Sequence, residues 1–283
     1  MGGTRYDMDA RFDRARKEGY ASKSAGEIFT QNAKRKAHES MNPYRISFRE
    51  SRDSEVHPNS VPIILGLDVT GSMGHIPYDL IKDGLPKLMG GIIQGGVPDP
   101  ALLFLGIGDH ECDGYPLQVG QFESGDEELD MWLTRTYIES GGGRNAGESY
   151  LLAWYFAAFH TRTDAFEKRN QKGLLFTVGD EPCLKTLPAS AIREIMGTGQ
   201  QTFKHTELLQ EARKRYDVYH ISVLHSEQAV RADRGWRDLL GQNCLSISDY
   251  RDVPNVIKEV VCRTFRNKFP RPTDLSELDY IKK

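Results

Sequence analysis

The fold of this 283-residue chain is decided by the stretch Ile63-Ile64-Leu65-Gly66-Leu67-Asp68-Val69-Thr70-Gly71-Ser72-Met73. Its first five residues carry no polar side chain, which is typical of a strand buried on both faces of a parallel sheet. Oxygen-bearing side chains then occupy alternate positions, at Asp68, Thr70 and Ser72, and Gly71 permits a sharp bend between them. The stretch therefore predicts a buried strand that ends in an oxygen-rich loop.

Further apolar runs follow this strand at intervals along the chain. Together they predict strands over residues 61–67, 101–107, 173–178, 218–223 and 244–247, with helical patterns over 77–93, 126–135, 146–160, 187–196, 206–216, 228–240 and 253–269. Residues 115–122 alternate loosely and follow the second strand too closely for a helical crossover, so we expect them to pair antiparallel. The pattern predicts an α/β fold with a doubly wound, mostly parallel sheet and one short antiparallel edge strand.

The first 60 residues differ in composition from the rest of the chain. They contain no Leu, and they carry 12 Lys and Arg against 9 Asp and Glu. A segment so poor in large aliphatic residues is expected to bury little surface. We therefore predict an arm at 1–60, partly helical or extended, a domain at 61–269 and a tail at 270–283. Within the arm, residues 26–41 predict a solvated helix packed loosely on the domain; alternatively, Lys34-Arg35-Lys36 is a basic docking motif for an acidic partner.

Composition and motifs exclude several classes of protein. With 37 basic and 40 acidic side chains and a sequence pI near 6.3, the chain shows no electrostatic signature of nucleic-acid binding. No apolar run approaches the roughly 18 residues of a membrane span, and the N-terminus, charged from Arg5, does not resemble a secretory signal. The four cysteines are scattered without a C-x-x-C pair, so we expect reduced thiols and a cytoplasmic protein. The oligomeric state is left open.

Acidic residues follow three of the predicted strands, at Asp68, Asp109 and Asp180. Ligands in open α/β sheets bind beyond the carboxyl ends of the strands, so these residues are expected to share one edge. A short Asp-x-Thr-x-Ser segment taken alone is more often a turn or a helix cap. Here a strand precedes it, a helix follows it and Asp180 ends another strand, which favours a metal site. Oxygen ligands suit Mg²⁺, with Mn²⁺ and Ca²⁺ as alternatives, and the absence of His and Cys argues against zinc.

The order of these motifs resembles that of a von Willebrand factor type A domain. The resemblance runs from about residue 61 to 267 and includes the strand and loop at 63–73, the acidic strand end at 106–113, the antiparallel strand at 115–122, the Gly-rich loop at 141–148 and the strand end at 177–180. It implies a Rossmann-like fold and a metal-ion-dependent adhesion site. The implied ligands are Asp68, Thr70, Ser72 and Asp180.

The Gly-rich loop departs from the familiar form of that family. Gly143 and Arg144 stand where the family has a metal-ligating Thr. Asn145, Glu148 or water is expected to take its place, although Glu148 is equally suited to capping the helix that follows. Asp109 is assigned either to a second shell or second cation site, or to the solvated rim.

The resemblance implies a binding module, and not an enzyme. A divalent cation with an open coordination position can accept an Asp or Glu from a protein partner, as expected for an adaptor or scaffold in a multiprotein assembly. The first alternative is a magnesium-dependent phosphohydrolase or phosphotransfer enzyme, although Thr70 stands where such enzymes carry an acid, and no phosphate-binding G-x-x-x-x-G-K-[ST] motif is present. The second alternative is a structural subunit with a vestigial metal site.

Overall fold

The computed structural model describes residues 4–139, 147–265 and 268–269. Its helices are α1 (Met8–Glu18), α2 (Ala25–Ile28), α3 (Gln31–Lys34), α4 (His75–Asp79), α5 (Leu85–Gln94), α6 (Asp126–Thr134), α7 (Leu151–Phe159), α8 (Asp164–Arg169), α9 (Ala189–Met196), α10 (His205–Arg213), α11 (Glu227–Leu240) and α12 (Val253–Phe265). Its strands are β1 (Arg49–Ser51), β2 (Val61–Asp68), β3 (Pro100–Ile107), β4 (Leu117–Val119), β5 (Thr161–Thr163), β6 (Gly173–Gly179), β7 (Thr186–Leu187), β8 (Phe203–Lys204), β9 (Tyr216–Val223) and β10 (Cys244–Ile247). Asn145 and the predicted tail at 270–283 lie outside the described residues.

A six-stranded sheet forms the centre of the fold, in the order β10-β9-β6-β2-β3-β4. All its strands are parallel except β4, which pairs antiparallel with β3 at one edge. The α/β class, the mostly parallel sheet and the short antiparallel edge strand are therefore confirmed. Strand β2 lies between β3 and β6, so the chain after β2 first extends the sheet on one side and later on the other.

Both faces of the sheet are covered by helices. Along β2, Leu65 joins an apolar cluster that includes residues of α5 and α12, whereas Ile64 joins a second cluster built from α7, α10 and α11. Every residue of β2, β3 and β6 is buried. Unbroken apolar strands form here because alternate side chains have an apolar layer to enter on either face.

The helix predicted over 77–93 is interrupted in the structure. Helices α4 and α5 are separated by a π-helical turn at Leu80–Gly84. Pro86, in the first turn of α5, has no amide hydrogen to donate four residues back, and the hydrogen-bond register changes just before it. The predicted helices after it are present with shifted ends; α7, for example, begins at Leu151, later than the predicted residue 146.

The arm packs against the domain more closely than the sequence predicts. The single solvated helix expected at 26–41 is wrong: α2 and α3 are separate short helices, and Arg35 ends α3 in a left-handed conformation. Phe29 and Met41 are fully buried, and β1 pairs with β5 of the domain. Aromatic residues and Met supply the apolar surface that a count of Leu overlooks.

A buried ion pair also fixes the arm. Arg11 of α1 is fully buried, and its Nε lies 2.7 Å from Asp130 Oδ1 of α6. The same guanidinium donates to the carbonyl oxygen of Ile81 in the π-helical turn. Arg14 lies 3.0 Å from the other carboxylate oxygen of Asp130. Both arginines belong to α1 of the arm, and Asp130 belongs to α6 of the domain. These buried polar contacts therefore join the arm to the domain.

Two further features concern the expected cellular context. None of the helices in the described residues is both long and apolar enough to cross a membrane. All four cysteines lie within these residues, and no disulfide joins them there.

Candidate metal centre

The predicted strand-end acids lie along one edge of the central sheet. Asp68 is the last residue of β2, Asp180 directly follows β6, and Asp109 lies two residues beyond the end of β3. Parallel pairing sets Asp68 opposite Ile107 and Leu67 opposite Val178, which brings these strand ends to one level. The next two parallel strands, β3 and β6, lie on opposite sides of β2. In α/β proteins, ligands bind beyond the carboxyl ends of the strands at such a point.

Asp68 and Thr70 form a tight hydrogen-bonded turn at this edge. The backbone nitrogen of Thr70 donates to Asp68 Oδ1 at 2.9 Å, and its hydroxyl lies 2.7 Å from the same oxygen. Asp68 is fully buried and Thr70 almost so. The backbone of Ser72 lies in the short helical turn Gly71–Met73, whereas its side chain lies outside the described part of the structure. Two of the predicted ligands are therefore adjacent.

Glu148 joins this pair from the segment before α7. Its Oε1 lies 3.3 Å from the Thr70 hydroxyl. Its backbone is held by bonds from its nitrogen to the Pro182 carbonyl and from the Leu184 nitrogen to its own carbonyl. Since α7 begins at Leu151 and its N-cap is Tyr150, the alternative in which Glu148 caps this helix is wrong. Glu148 instead faces the strand-end loop.

Asp180 and Asp109 occupy the two sides of Asp68. Asp180 Oδ2 lies 3.1 Å from Nε2 of His225, which follows β9. Asp109 Oδ1 accepts a bond from the Glu111 nitrogen, and the hydroxyl of Ser149 lies 3.5 Å from it. Asp180 therefore lies beside an imidazole nitrogen, whereas Asp109 is a buried residue at the start of a largely exposed turn that follows β3.

Tyr150 contributes to the site although the sequence analysis assigned it no role. Its hydroxyl donates to Asp68 Oδ2 at 2.9 Å, and its ring packs edge-on against Trp236. A side chain at Gly179 would overlap the Tyr150 hydroxyl, so a glycine is required at that strand end. The available signal was the polar sequence Glu148-Ser149-Tyr150 directly before an apolar helix. His225 was also not predicted, although it follows β9 as Asp180 follows β6.

The carboxyl groups of this edge lie close enough to perturb one another. Burial raises the pKa of Asp68 above its ordinary value, the charge of Asp180 adds to this rise, and the bonds from Thr70 and Tyr150 oppose it. Burial likewise raises the pKa of Glu148, and the charges of Asp68 and Asp113 raise it further. Gathering ionised carboxylates here is therefore unfavourable without a compensating cation.

At this edge of the sheet, two buried carboxylate oxygens have no hydrogen-bond partner among the described residues. They are Glu148 Oε2 and Asp109 Oδ2, and both side chains are at least nine-tenths buried. Buried carboxylate oxygens require a donor or a cation, so the residues present fit an oxygen-ligated divalent ion. Within the described residues, no group of three or more His, Cys, Asp and Glu side chains is arranged to hold a metal by itself. A cation here would therefore also need hydroxyl oxygens such as that of Thr70.

The raised carboxyl pKa values predict how stability depends on pH when divalent ions are chelated. Above pH ~4 the unfolded chain loses protons that the folded site still holds, so the free energy of unfolding should fall as pH rises from about 5 to about 8. Urea titrations of wild type and Glu148→Gln test this, because the variant should show a shallower fall. Equal slopes for the two proteins would contradict the electrostatic description of the site.

Comparison with known proteins gives structural neighbours only. No family model matches the sequence, and no curated protein sequence matches it. The pilus adhesin SpaC from Lactobacillus rhamnosus GG, in its open conformation, is similar with a TM-score of 0.48 and 9% identity over 76% of this chain and 31% of the adhesin. Another crystal form of SpaC gives 0.46 and 11%, over 76% and 32%. Proximal thread matrix protein 1 from the mussel byssus gives 0.45 and 9%, over 75% and 48%. The chain thus spans about a third of the adhesin and about half of the mussel protein.

Proposed function

We propose that this chain is a cytoplasmic protein-binding module with the doubly wound fold of von Willebrand factor type A domains. In this proposal a divalent cation at the end of β2 is completed by an Asp or Glu of a protein partner. The observation that carries the proposal is the buried Glu148 Oε2, which has no partner among the residues that the structure describes and lies beside the hydrogen-bonded pair Asp68 and Thr70. A cation would offset the repulsion among these groups and satisfy that oxygen.

The proposed ligands are Asp68, Thr70, Ser72 and Asp180, with Glu148 contacting the ion directly or through water. Mg²⁺ is the expected ion, and Mn²⁺ and Ca²⁺ are the alternatives. When bound, the ion supplies a positive charge and an open position for an incoming carboxylate. The chain's own residues prepare this site: Tyr150 orients Asp68, and His225 shares the Asp180 carboxylate. Because His225 contacts the Asp180 carboxylate, less of that negative charge acts on the cation, which can then attract a partner's anion more strongly.

The arrangement supports recognition more than catalysis. The residue two positions after Asp68 is Thr70, whose hydroxyl is bonded to that aspartate, so no second acid stands there to protonate a leaving group. A module that offers a cation and an open position can hold a partner without turning it over, as an adaptor or scaffold requires.

A paramagnetic probe tests the proposal. Manganese replaces Mg²⁺ in the full chain, and relaxation of the side-chain protons of N-acetyl-aspartate methylamide is measured by NMR. We expect enhanced relaxation that saturates with probe concentration, because the carboxylate approaches the bound ion. The asparagine analogue serves as the neutral control, and Asp68→Asn protein corrects for free Mn²⁺. Equal relaxation of the two probes, or the same enhancement with the variant, would contradict partner-carboxylate binding.

A further inference from the structure

A groove opens on the surface next to the candidate metal centre. Its volume is about 280 Å³, and three parts of the chain form its walls: arm residues 37 and 42–44, the turn from His110 to Leu117, and helix α9. This volume is large enough for one long side chain and small for a drug-sized ligand. The arm thus contributes a wall to a concave surface that the domain does not form without it.

One backbone hydrogen bond and the packing of Tyr44 attach the arm wall to the domain. The nitrogen of Arg45 donates to the Met196 carbonyl at the end of α9 at 2.9 Å, and Asn42 Oδ1 accepts from the Tyr44 nitrogen at 2.9 Å. Tyr44 packs over Gly197, where an added Cβ would lie 3.1 Å from its ring. These contacts hold the Tyr44 ring at the groove, where it is 46% exposed.

The groove is acidic and aromatic. Its lining includes the carboxylates of Asp113 and Glu194 but no Lys or Arg among the described residues. Within the described part of the chain, the exposed side chain of Glu194 makes no hydrogen bond or ion pair, so its carboxylate is available to a ligand. Tyr44 and Tyr115 supply aromatic surface on the walls. Carboxylates beside exposed rings are the groups that a guanidinium recognises, through paired hydrogen bonds and stacking.

The Tyr44 ring already makes one contact with a guanidinium, from outside the groove. The guanidinium carbon of Arg45 lies 5.2 Å from the centre of the Tyr44 ring, although Arg45 does not line the groove. Lysine offers a compact charge without a planar face. The aromatic wall therefore favours arginine over lysine as an occupant.

The groove and the candidate metal centre share one wall. His110 lines the groove, and the Ser149 hydroxyl lies 2.9 Å from its backbone nitrogen and 2.7 Å from its Nδ1. Ser149 directly follows Glu148 of the metal centre. Asp113 also lines the groove, and its Oδ2 accepts from the nitrogen of Asp109 at 2.7 Å. One extended partner segment can therefore contact both places.

We propose that this groove binds an arginine side chain of the same partner segment whose carboxylate completes the cation site. The arginine pocket stands on the groove itself; only its pairing with the carboxylate rests on the proposed function. The partner would then be recognised by two opposite charges, a carboxylate at the cation and a guanidinium between Glu194 and Tyr44.

The test uses the full chain with Nα-acetyl-arginine methylamide as probe and the isosteric, uncharged citrulline analogue as control. Binding is followed by NMR chemical-shift changes in the protein, with chelator present. We expect saturable binding of the arginine probe and at least about fivefold weaker binding of citrulline. Glu194→Gln and Tyr44→Leu should each weaken binding of the arginine probe severalfold. Glu259→Gln, a matched change on the exposed face of α12, should leave that binding unchanged.

The outcomes separate the two proposals. If Asp68→Asn abolishes Mg²⁺ binding and leaves the arginine probe unaffected, both proposals are supported. If wild type binds the arginine probe but no divalent ion, the groove proposal stands and the proposed function fails. Equal binding of arginine and citrulline, or no effect of Glu194→Gln and Tyr44→Leu, overturns the groove proposal. A preference for the lysine analogue overturns the assignment to arginine.

Discussion

Replacing Asp68 with Asn is expected to weaken Mg²⁺ binding by at least about 100-fold, or ~2.8 kcal/mol, in a calorimetric titration of the full chain. The variant removes a negative charge from the end of β2 but keeps the shape of the side chain. Its amide oxygen can still accept from Thr70, and the Tyr150 hydroxyl can turn to accept from the new amide group. The loss of affinity is therefore expected without loss of the fold.

Stability measurements separate this effect from misfolding. In chelator, Asp68→Asn should unfold at the same or a higher urea concentration than wild type, because it relieves a buried charge beside Asp180 and Glu148. Glu181→Gln is the matched control, since this neighbouring carboxylate is bonded to Gln228 and not to the site. A chelated variant less stable than wild type, or unchanged Mg²⁺ affinity, would contradict the assignment of Asp68.

Replacing Arg11 with Ala is expected to lower the free energy of unfolding by about 3 kcal/mol, because it leaves the Asp130 carboxylate buried without its closest cation. The expected loss lies at the lower end of the range for buried pairs, since Arg14 remains 3.0 Å from Asp130. The carbonyl of Ile81 also loses its donor in the π-helical turn. Urea denaturation followed by circular dichroism measures the change.

The control for this variant lies on the same helix. Arg16 pairs with Asp13, but both side chains are largely exposed, so Arg16→Ala should leave the unfolding midpoint unchanged. If Arg11→Ala behaves like Arg16→Ala, the arm is not an integral part of the folded domain. A large loss in Arg11→Ala alone supports the description of α1 as part of the core.

The central sheet could be predicted from the sequence because its strands are buried on both faces. Short unbroken apolar runs such as 101–107 are typical of strands buried on both faces. The short gap between β3 and β4 leaves no room for a crossover helix, so β4 was expected to pair antiparallel. The interruption before Pro86 is indicated by the proline itself, which lacks a backbone donor and usually ends or kinks a helix, whereas the π-helical form of the turn is not. The ends of helices depend on such local contacts.

The candidate site was predicted where one rule applies, namely that ligands lie at the carboxyl ends of parallel strands. This rule identified Asp68 and Asp180, and it would also have found His225 had it been applied to β9. Tyr150 required tertiary information, because its contact with Asp68 depends on how α7 packs across the sheet and on the lack of a side chain at Gly179.

The arm illustrates the limit of composition. Its charge and its lack of Leu predicted loose packing, yet Phe29 and Arg11 are fully buried. Burying Arg11 is favourable only because it pairs with Asp130 of α6, which is far away in sequence. The sequence around Arg11 does not indicate that pairing. The groove beside the candidate metal centre was missed for the same reason, since its walls come from segments that are far apart in sequence.

The most direct test of the candidate metal centre is anomalous diffraction from crystals of the full chain grown with Mn²⁺. A divalent-ion site at the end of β2 predicts an anomalous peak next to the side-chain oxygens of Asp68, Thr70 and Asp180, and the absence of this peak in Asp68→Asn crystals. Occupancy of the site by a cation in wild type alone would establish the chemical basis of the proposed function. No peak at the end of β2, or a peak that persists in the variant, would contradict it.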